Sequence, residues 1–122
     1  MKAIAAALVA ALPASGSLEA TLSAPTHTPK VNTKWYYVVR AARAGHPVGA
    51  RITVQIVDPL GTAHPVQLGA SKRNITNYPI MGTFRDYVIW PSDSRDIRLT
   101  LRITVHAGGT KKIVTYWVVA HS

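Results

Sequence analysis

The sequence predicts an all-β protein, folded as an antiparallel sandwich of about seven strands. Short runs rich in aromatic and β-branched residues recur along the chain, and in most of them apolar and polar residues alternate. Eight glycines and eight prolines in 122 residues separate these runs, which is typical of many short strands joined by turns. After residue 17, no run has the period of an amphipathic helix.

The first 16 residues differ in composition from the rest of the chain. One lysine precedes an apolar run over 3–12, and small residues follow at 14–16. This order is typical of a signal peptide cut after Gly16, so we expect a secreted or cell-surface protein. A disordered or helical leader on a cytosolic protein is the alternative. Residues 17–122 are then a single domain, and no other stretch reaches the roughly 20 apolar residues that cross a bilayer.

The first three strands are predicted over 18–23, 35–41 and 51–57, where apolar and polar residues alternate or aromatic and β-branched residues dominate. Because Arg40 lies on one face of the second strand, the opposite face is expected to point inward. In the second and third strands, the side chains predicted to face the core are Trp35, Tyr37, Val39, Ile52, Val54 and Ile56.

The middle of the chain gives weaker patterns. Residues 58–61, Asp-Pro-Leu-Gly, predict a type I turn. Proline and glycine then interrupt every run over 62–82, and only one short strand, over 66–68, is predicted there. The next strand, over 84–90, places Asp86 in register with apolar residues, which indicates a bulge or a two-sided environment and an ion pair with Arg85 or another arginine.

The clearest pattern is a hairpin at the end of the domain. Residues 97–106 alternate without a break, two glycines at 108 and 109 predict a short connection, and 111–120 return as the last strand. In the first of these strands, Arg98, Arg102 and His106 are predicted to face solvent. Arg51 joins them if the third and sixth strands pair.

These basic side chains have two interpretations. The chain has 14 Lys and Arg residues, and one of them is Lys2, which leaves 13 against five acidic residues in the domain. Such a charge either keeps the surface solvated or attracts a polyanion. Arg51, Arg98, Arg102 and His106 are therefore candidate polyanion-binding residues. An acidic envelope polymer is the expected ligand, and nucleic acid is a less expected one for an exported protein.

The last strand is apolar on both faces. Val114, Tyr116 and Val118 share one face, while Ile113, Trp117 and Val119 share the other. A strand of this kind is either covered on both sides or contributes an apolar patch to an interface. Val114, Tyr116 and Val118 are candidate interface residues, through which the protein would bind a protein partner or a second copy of itself.

Several kinds of chemistry find little support in the sequence. Cysteine is absent, which excludes disulfides and thiolate chemistry. The five histidines have no short metal-chelating spacing, and most of the aspartates fall in predicted turns. There is no glycine-rich phosphate loop and no G-x-S-x-G motif. We therefore expect no enzyme, metal site or cofactor, with a small hydrolase as the remote alternative.

The chain resembles the exported bacterial immunoglobulin-like or fibronectin-III-like domains, in particular the small immunoglobulin-like proteins of high-GC Gram-positive bacteria. The resemblance rests on Trp35 opening the second strand, the turn at Gly45 and Pro47, Trp90-Pro91 at a strand end, and the final hairpin. It is architectural and covers about residues 18–120. It implies a spacer, adhesion or partner-binding module at the cell surface and no catalytic residues. The chain lacks the cysteine pair and the corner tyrosine of such domains.

Overall fold

A computed structural model describes residues 16–122, and the predicted leader, apart from Gly16, lies outside the described residues. Residues 16–122 contain no α-helix, and a single 3₁₀ turn over Ser92–Ser94 is the only helical element among them. The nine strands are β1 Leu18–Ser23, β2 Lys34–Arg43, β3 His46–Pro47, β4 Gly49–Val57, β5 Ala63–Pro65, β6 Tyr78–Met81, β7 Thr83–Ile89, β8 Arg98–Ala107 and β9 Thr110–Val119.

The strands form two antiparallel sheets packed face to face, which confirms the predicted all-β sandwich. One sheet has the order β1-β2-β7, with β3 beside β2, and the other has β4-β8-β9, with β5 and β6 beside β4. This is the A-B-E and C-F-G arrangement of immunoglobulin-like sandwiches. The sheets are joined at one corner, where Met81 and Thr83 pair across Gly82. Gly82 has a φ of +75°, and a Cβ there would lie 2.6 Å from Pro47 Cβ, so only glycine fits this corner.

The core lies between the sheets and is built from the alternate residues of the long strands. β2 contributes Trp35, Tyr37 and Val39, as predicted, and all three are buried. β4 contributes Ile52 and Val54, while Ile56 is half-buried. β8 contributes Leu101, Ile103 and Val105. Because these side chains come from both sheets, their burial holds the two sheets together.

The stretch from 62 to 82 differs from the prediction. The prediction of a short strand over 66–68 is wrong. The strands of this stretch are β5, which comes before these residues, and β6, which comes after them. Instead, Val66 N–H donates to Val54 C=O, and Ile75 N–H donates to Val66 C=O. These bonds draw the loop over the side of the sandwich and bury Ile75, an apolar residue with polar neighbours in the sequence.

Asp86 also differs from the prediction. The pairing of β7 with β2 is unbroken, so there is no bulge. The Asp86 carboxylate accepts the Gly69 N–H at 3.1 and 3.0 Å, and no arginine of the described residues forms an ion pair with it. Arg85 cannot reach it because successive residues of a strand point to opposite faces.

The last residues of the chain are hydrogen-bonded to the connection between β1 and β2. Val119 N–H donates to His27 C=O, His121 N–H to Pro29 C=O, and Val31 N–H to His121 C=O. His27 stacks on both Tyr116 and Trp117, with ring centroids 3.9 and 4.0 Å away. The segment 27–31 therefore covers the edge of β9 at its C-terminal end.

Candidate functional site

The outer face of the β4-β8-β9 sheet brings the predicted basic residues together. Strand register sets Arg51 opposite His106 and His106 opposite Lys111, so these three form one row across the sheet. Arg102 lies two rows of outward residues away from this row, opposite Gln55. We call the outward side chains of these three strands the basic face: Arg51, Thr53, Gln55, Arg98, Thr100, Arg102, Thr104, His106, Lys111, Ile113, Thr115 and Trp117.

The three arginines of the basic face are each held by an uncharged neighbour. Arg51 donates to the Asn77 carbonyl at 2.9 Å, and Arg102 donates to Gln55 Oε1 at 2.8 Å. The Arg98 guanidinium stacks over the Trp117 ring, 4.7 Å from its centroid. These contacts restrict the rotamers of the arginines without neutralising their charge, so each guanidinium keeps donors for a further acceptor.

No carboxylate lies on the basic face. The five acidic residues of the chain are at other places in the fold: Glu19, Asp58, Asp86, Asp93 and Asp96. Within residues 16–122, no lysine or arginine forms an ion pair with any of them, since the one ion pair joins His64 to Asp58. The basic face therefore presents an uncompensated positive potential.

Strand geometry spaces the charges along β8. At about 3.3 Å per residue, Arg98 and Arg102 lie about 13 Å apart, and His106 lies a further 13 Å along the same strand. Gln55 and Lys111 lie on the neighbouring strands, opposite Arg102 and His106, and the sequence analysis did not predict either as a binding residue. Both belong to the outward set of their strands, so the pairing register is the signal that identifies them.

The candidate interface residues of β9 face the other way. Val114, Tyr116 and Val118 pair with Ile103, Leu101 and Leu99 on the inner face of the sheet, and Val118 is buried. Val114 and Tyr116 are half-buried and pack against the core. The exposed apolar residues of β9 lie on the opposite face, where Ile113 is 53% and Trp117 is 37% exposed.

The five histidines do not converge. No group of three or more His, Asp or Glu side chains in residues 16–122 is arranged to hold a metal ion. His64 is paired with Asp58, and its Nε2 lies 2.9 Å from Asp58 Oδ2. That hydrogen bond, followed by the one from the Thr62 N–H, holds the pKa of the Asp58 carboxyl below its usual range. No helix among residues 16–122 is long and apolar enough to cross a membrane.

A second feature, which sequence reasoning missed, is an apolar cleft between β5 and β7. It has a volume of about 830 Å³ and is lined by four stretches of the chain, at 56–60, 64, 88–94 and 97–99. Leu60, on the β4–β5 turn, stands at its mouth and is 92% exposed. Ile89 and Ile97 line it as well and are 50% and 40% exposed. We call it the β5–β7 cleft.

Comparison with known proteins identifies the fold but no family. No protein-family model matches the chain, and no curated protein matches its sequence. Among solved structures, the chain is similar to Spo0M, a sporulation control protein from Bacillus subtilis, with 11% identity, a TM-score of 0.51, and coverage of 88% of this chain and 50% of that one. It is also similar to a DUF4466 family protein from Parabacteroides merdae, with 14% identity, a TM-score of 0.46, and coverage of 84% and 43%. The chain thus spans about half the length of the structures it matches.

Proposed function

We propose that this protein is a non-catalytic, extracytoplasmic binding module of the immunoglobulin-like or fibronectin-III-like type, and that it captures an anionic polymer on its basic face. The observation that carries the proposal is the set of three arginines, each held by an uncharged partner, on a sheet face without a carboxylate. The export-type leader makes an acidic polymer of the cell envelope the expected ligand.

The arrangement suits a repeating anion better than a single small one. The basic face is open and follows one strand, so charges recur along a line and do not converge on one point. Guanidinium groups donate in a planar fork that fits phosphate and carboxylate oxygens. A polymer lying along β8 would meet Arg98 and Arg102 in turn, and Arg51 and Lys111 near His106.

The experiment compares two charge-reversal variants of equal net charge. In Arg98→Glu with Arg102→Glu, binding to linear polyphosphate and to polyglutamate should fall at least about tenfold at low salt, and the slope of log affinity against log salt should shrink by about two. The matched control is Arg40→Glu with Arg85→Glu, since both residues are exposed on the outer face of the opposite sheet.

The outcome separates a binding site from general charge. Equal losses in both variants would mean that net charge alone retains the polymer, and the proposal would fail. The two probes distinguish a phosphate polymer from a carboxylate polymer, and neutral dextran should not bind to any of the proteins. Circular dichroism of both variants checks that they remain folded.

A second candidate function is binding or adhesion through a protein partner or a second copy. The observation that favours it is the exposed apolar pair on the outer face of β9, Ile113 and Trp117. Paired exposed apolar side chains on a sheet face are a common element of protein interfaces. A strict monomer by light scattering at high protein concentration would argue against self-association, and Trp117→Ser should weaken any association that is found.

A further inference from the structure

The β5–β7 cleft lies beside a strand edge that has no partner. Over Thr83–Ile89, one edge of β7 pairs with β2, whereas the other pairs with β6 at Thr83 alone. From Phe84 to Ile89, this second edge has no strand partner among residues 16–122. The nearby loop reaches it only through side chains, because Gly69 bonds the Asp86 carboxylate and the Tyr87 hydroxyl donates to Gly69 C=O.

An unpaired edge presents main-chain N–H and C=O groups that can accept another strand. Where such an edge borders a groove, an extended peptide can pair with it and place alternate side chains in the groove. Val88 and Ile89 meet both requirements, because they belong to the end of β7 and also line the cleft. A smaller cavity of about 380 Å³ continues along the same edge and shares Ile56, Val88 and Ile89 with the cleft.

The charge of the cleft is opposite to that of the rest of the molecule. Asp58 and Asp93 line it, and no lysine or arginine does, although basic residues far outnumber acidic ones in the chain. Asp58 is already bonded to His64, which lines the cleft as well, whereas Asp93 forms no ion pair within residues 16–122. A cationic side chain at the mouth of the cleft would therefore pair with Asp93. The centre of the cleft, by contrast, is apolar.

We infer that the β5–β7 cleft binds an extended peptide, which adds as a strand to the free edge of β7 at Tyr87 to Ile89. Its alternate side chains are large and apolar and enter the cleft, and a lysine or arginine next to them meets Asp93. The inference is independent of the polymer-binding proposal, since the basic face lies on the other sheet.

The test uses the full chain and a capped heptapeptide with alternating apolar residues between two terminal lysines, Lys-Ile-Thr-Val-Thr-Ile-Lys. We expect binding that slows amide exchange in the Tyr87 to Ile89 segment and leaves exchange in β9 unchanged. A peptide of the same sequence, N-methylated on alternate main-chain nitrogens, should bind at least fivefold more weakly, because it cannot form the ladder of hydrogen bonds.

Variants of the cleft test the side-chain contacts. Leu60→Ser with Ile97→Ser should weaken peptide binding at least fivefold, and Met81→Ser with Ile113→Ser, which removes two exposed apolar residues elsewhere, should not. Asp93→Asn should weaken binding two- to threefold at low salt, and Asp96→Asn, which lies outside the cleft, should not.

Three results would overturn the inference: equal binding of the methylated peptide, protection of β9 in place of β7, or an unchanged affinity in the Leu60 and Ile97 variant. Self-association of the free protein that this same variant abolishes would replace the peptide with a second copy as the occupant. Binding of polyphosphate should be unaffected by all of the cleft variants, so this test and that of the proposed function fail separately.

Discussion

Tyr37 is one of two core residues of the described chain, with Trp90, whose buried side-chain polar atom has no hydrogen-bond partner. Its side chain is completely buried between the sheets, and its hydroxyl has no partner among the described residues. An unsatisfied buried hydroxyl costs about 1–3 kcal/mol. Tyr37→Phe should therefore unfold at a higher urea concentration than the natural protein at pH 7. Tyr36→Phe, at an exposed position on the same strand, should change the midpoint little, and a destabilised Tyr37→Phe would contradict the expectation.

The same residue should make stability fall at alkaline pH. Burial, followed by the negative charge of Asp86 opposite it in the sheet, raises the pKa of the Tyr37 hydroxyl above its ordinary value. The unfolded chain releases this proton near pH 10 while the folded protein keeps it, so stability is fully present below about pH 10 and is lost above it, at about 1.4 kcal/mol per pH unit. Urea unfolding between pH 8 and 11 should show a shallower decline in Tyr37→Phe and an unchanged one in Tyr36→Phe.

At the scale of elements, the loop over 66–77 is held on β7 by a close contact at Gly69. A Cβ on this glycine would lie 2.6 Å from the Tyr87 ring, while the Tyr87 hydroxyl and the Asp86 carboxylate bond the Gly69 backbone. Gly69→Ala should therefore displace the loop and cost about 1–3 kcal/mol of unfolding free energy.

A double-mutant cycle isolates that contact. In a Tyr87→Ala background, Gly69→Ala should cost almost nothing, because the atoms with which the new methyl group collides are gone. Gly49→Ala is a matched control, since its Cβ would meet only the flexible end of Met81, at 3.4 Å. A cost at Gly69 that is equal in both backgrounds would assign the effect to the backbone and not to the Tyr87 ring.

The elements that the sequence predicts well are those in which alternation alone decides the buried face. The long strands β2, β4 and β8 are of this kind, and the outward direction of Arg51, Arg98 and Arg102 follows from the same alternation. β9 could not be assigned a buried face, because it is apolar on both faces and only its register with β8 selects Val118 for the core.

The loop and the cleft were beyond sequence reasoning for a different physical reason. Backbone hydrogen bonds of Ile75 to β4 and to the adjoining loop hold it in place, where its side chain is buried. No local sequence pattern predicts that burial. The β5–β7 cleft draws its lining from two distant parts of the chain, with Ile56 and Leu60 in one and Ile89 and Ile97 in the other, and these meet only once both sheets are in place. The free edge of β7 is likewise a property of sheet order.

At the scale of the whole molecule, charge opposes self-association. The domain carries 13 basic and five acidic side chains, so two copies repel each other at low ionic strength, and salt screens that repulsion over about 8–10 Å. If Ile113 and Trp117 form an interface, sedimentation should therefore show more association at about 500 mM than at about 50 mM NaCl. Loss of association on adding salt would mean that the contact is ionic and not apolar.

The pairing of 27–31 with the end of β9 has a consequence for how the protein is made. The chain emerges from the ribosome with its N-terminal end first, at about 5–20 residues per second. β1 and β2 are made first in the domain, but the connection between them exchanges hydrogen bonds with Val119 and His121, which follow at the other end of the domain. The aromatic stack of His27 with Tyr116 and Trp117 has the same timing. The sandwich can thus close only after the whole domain has been synthesised, and until then the nascent domain remains a substrate for chaperones or for export machinery that requires unfolded polypeptide.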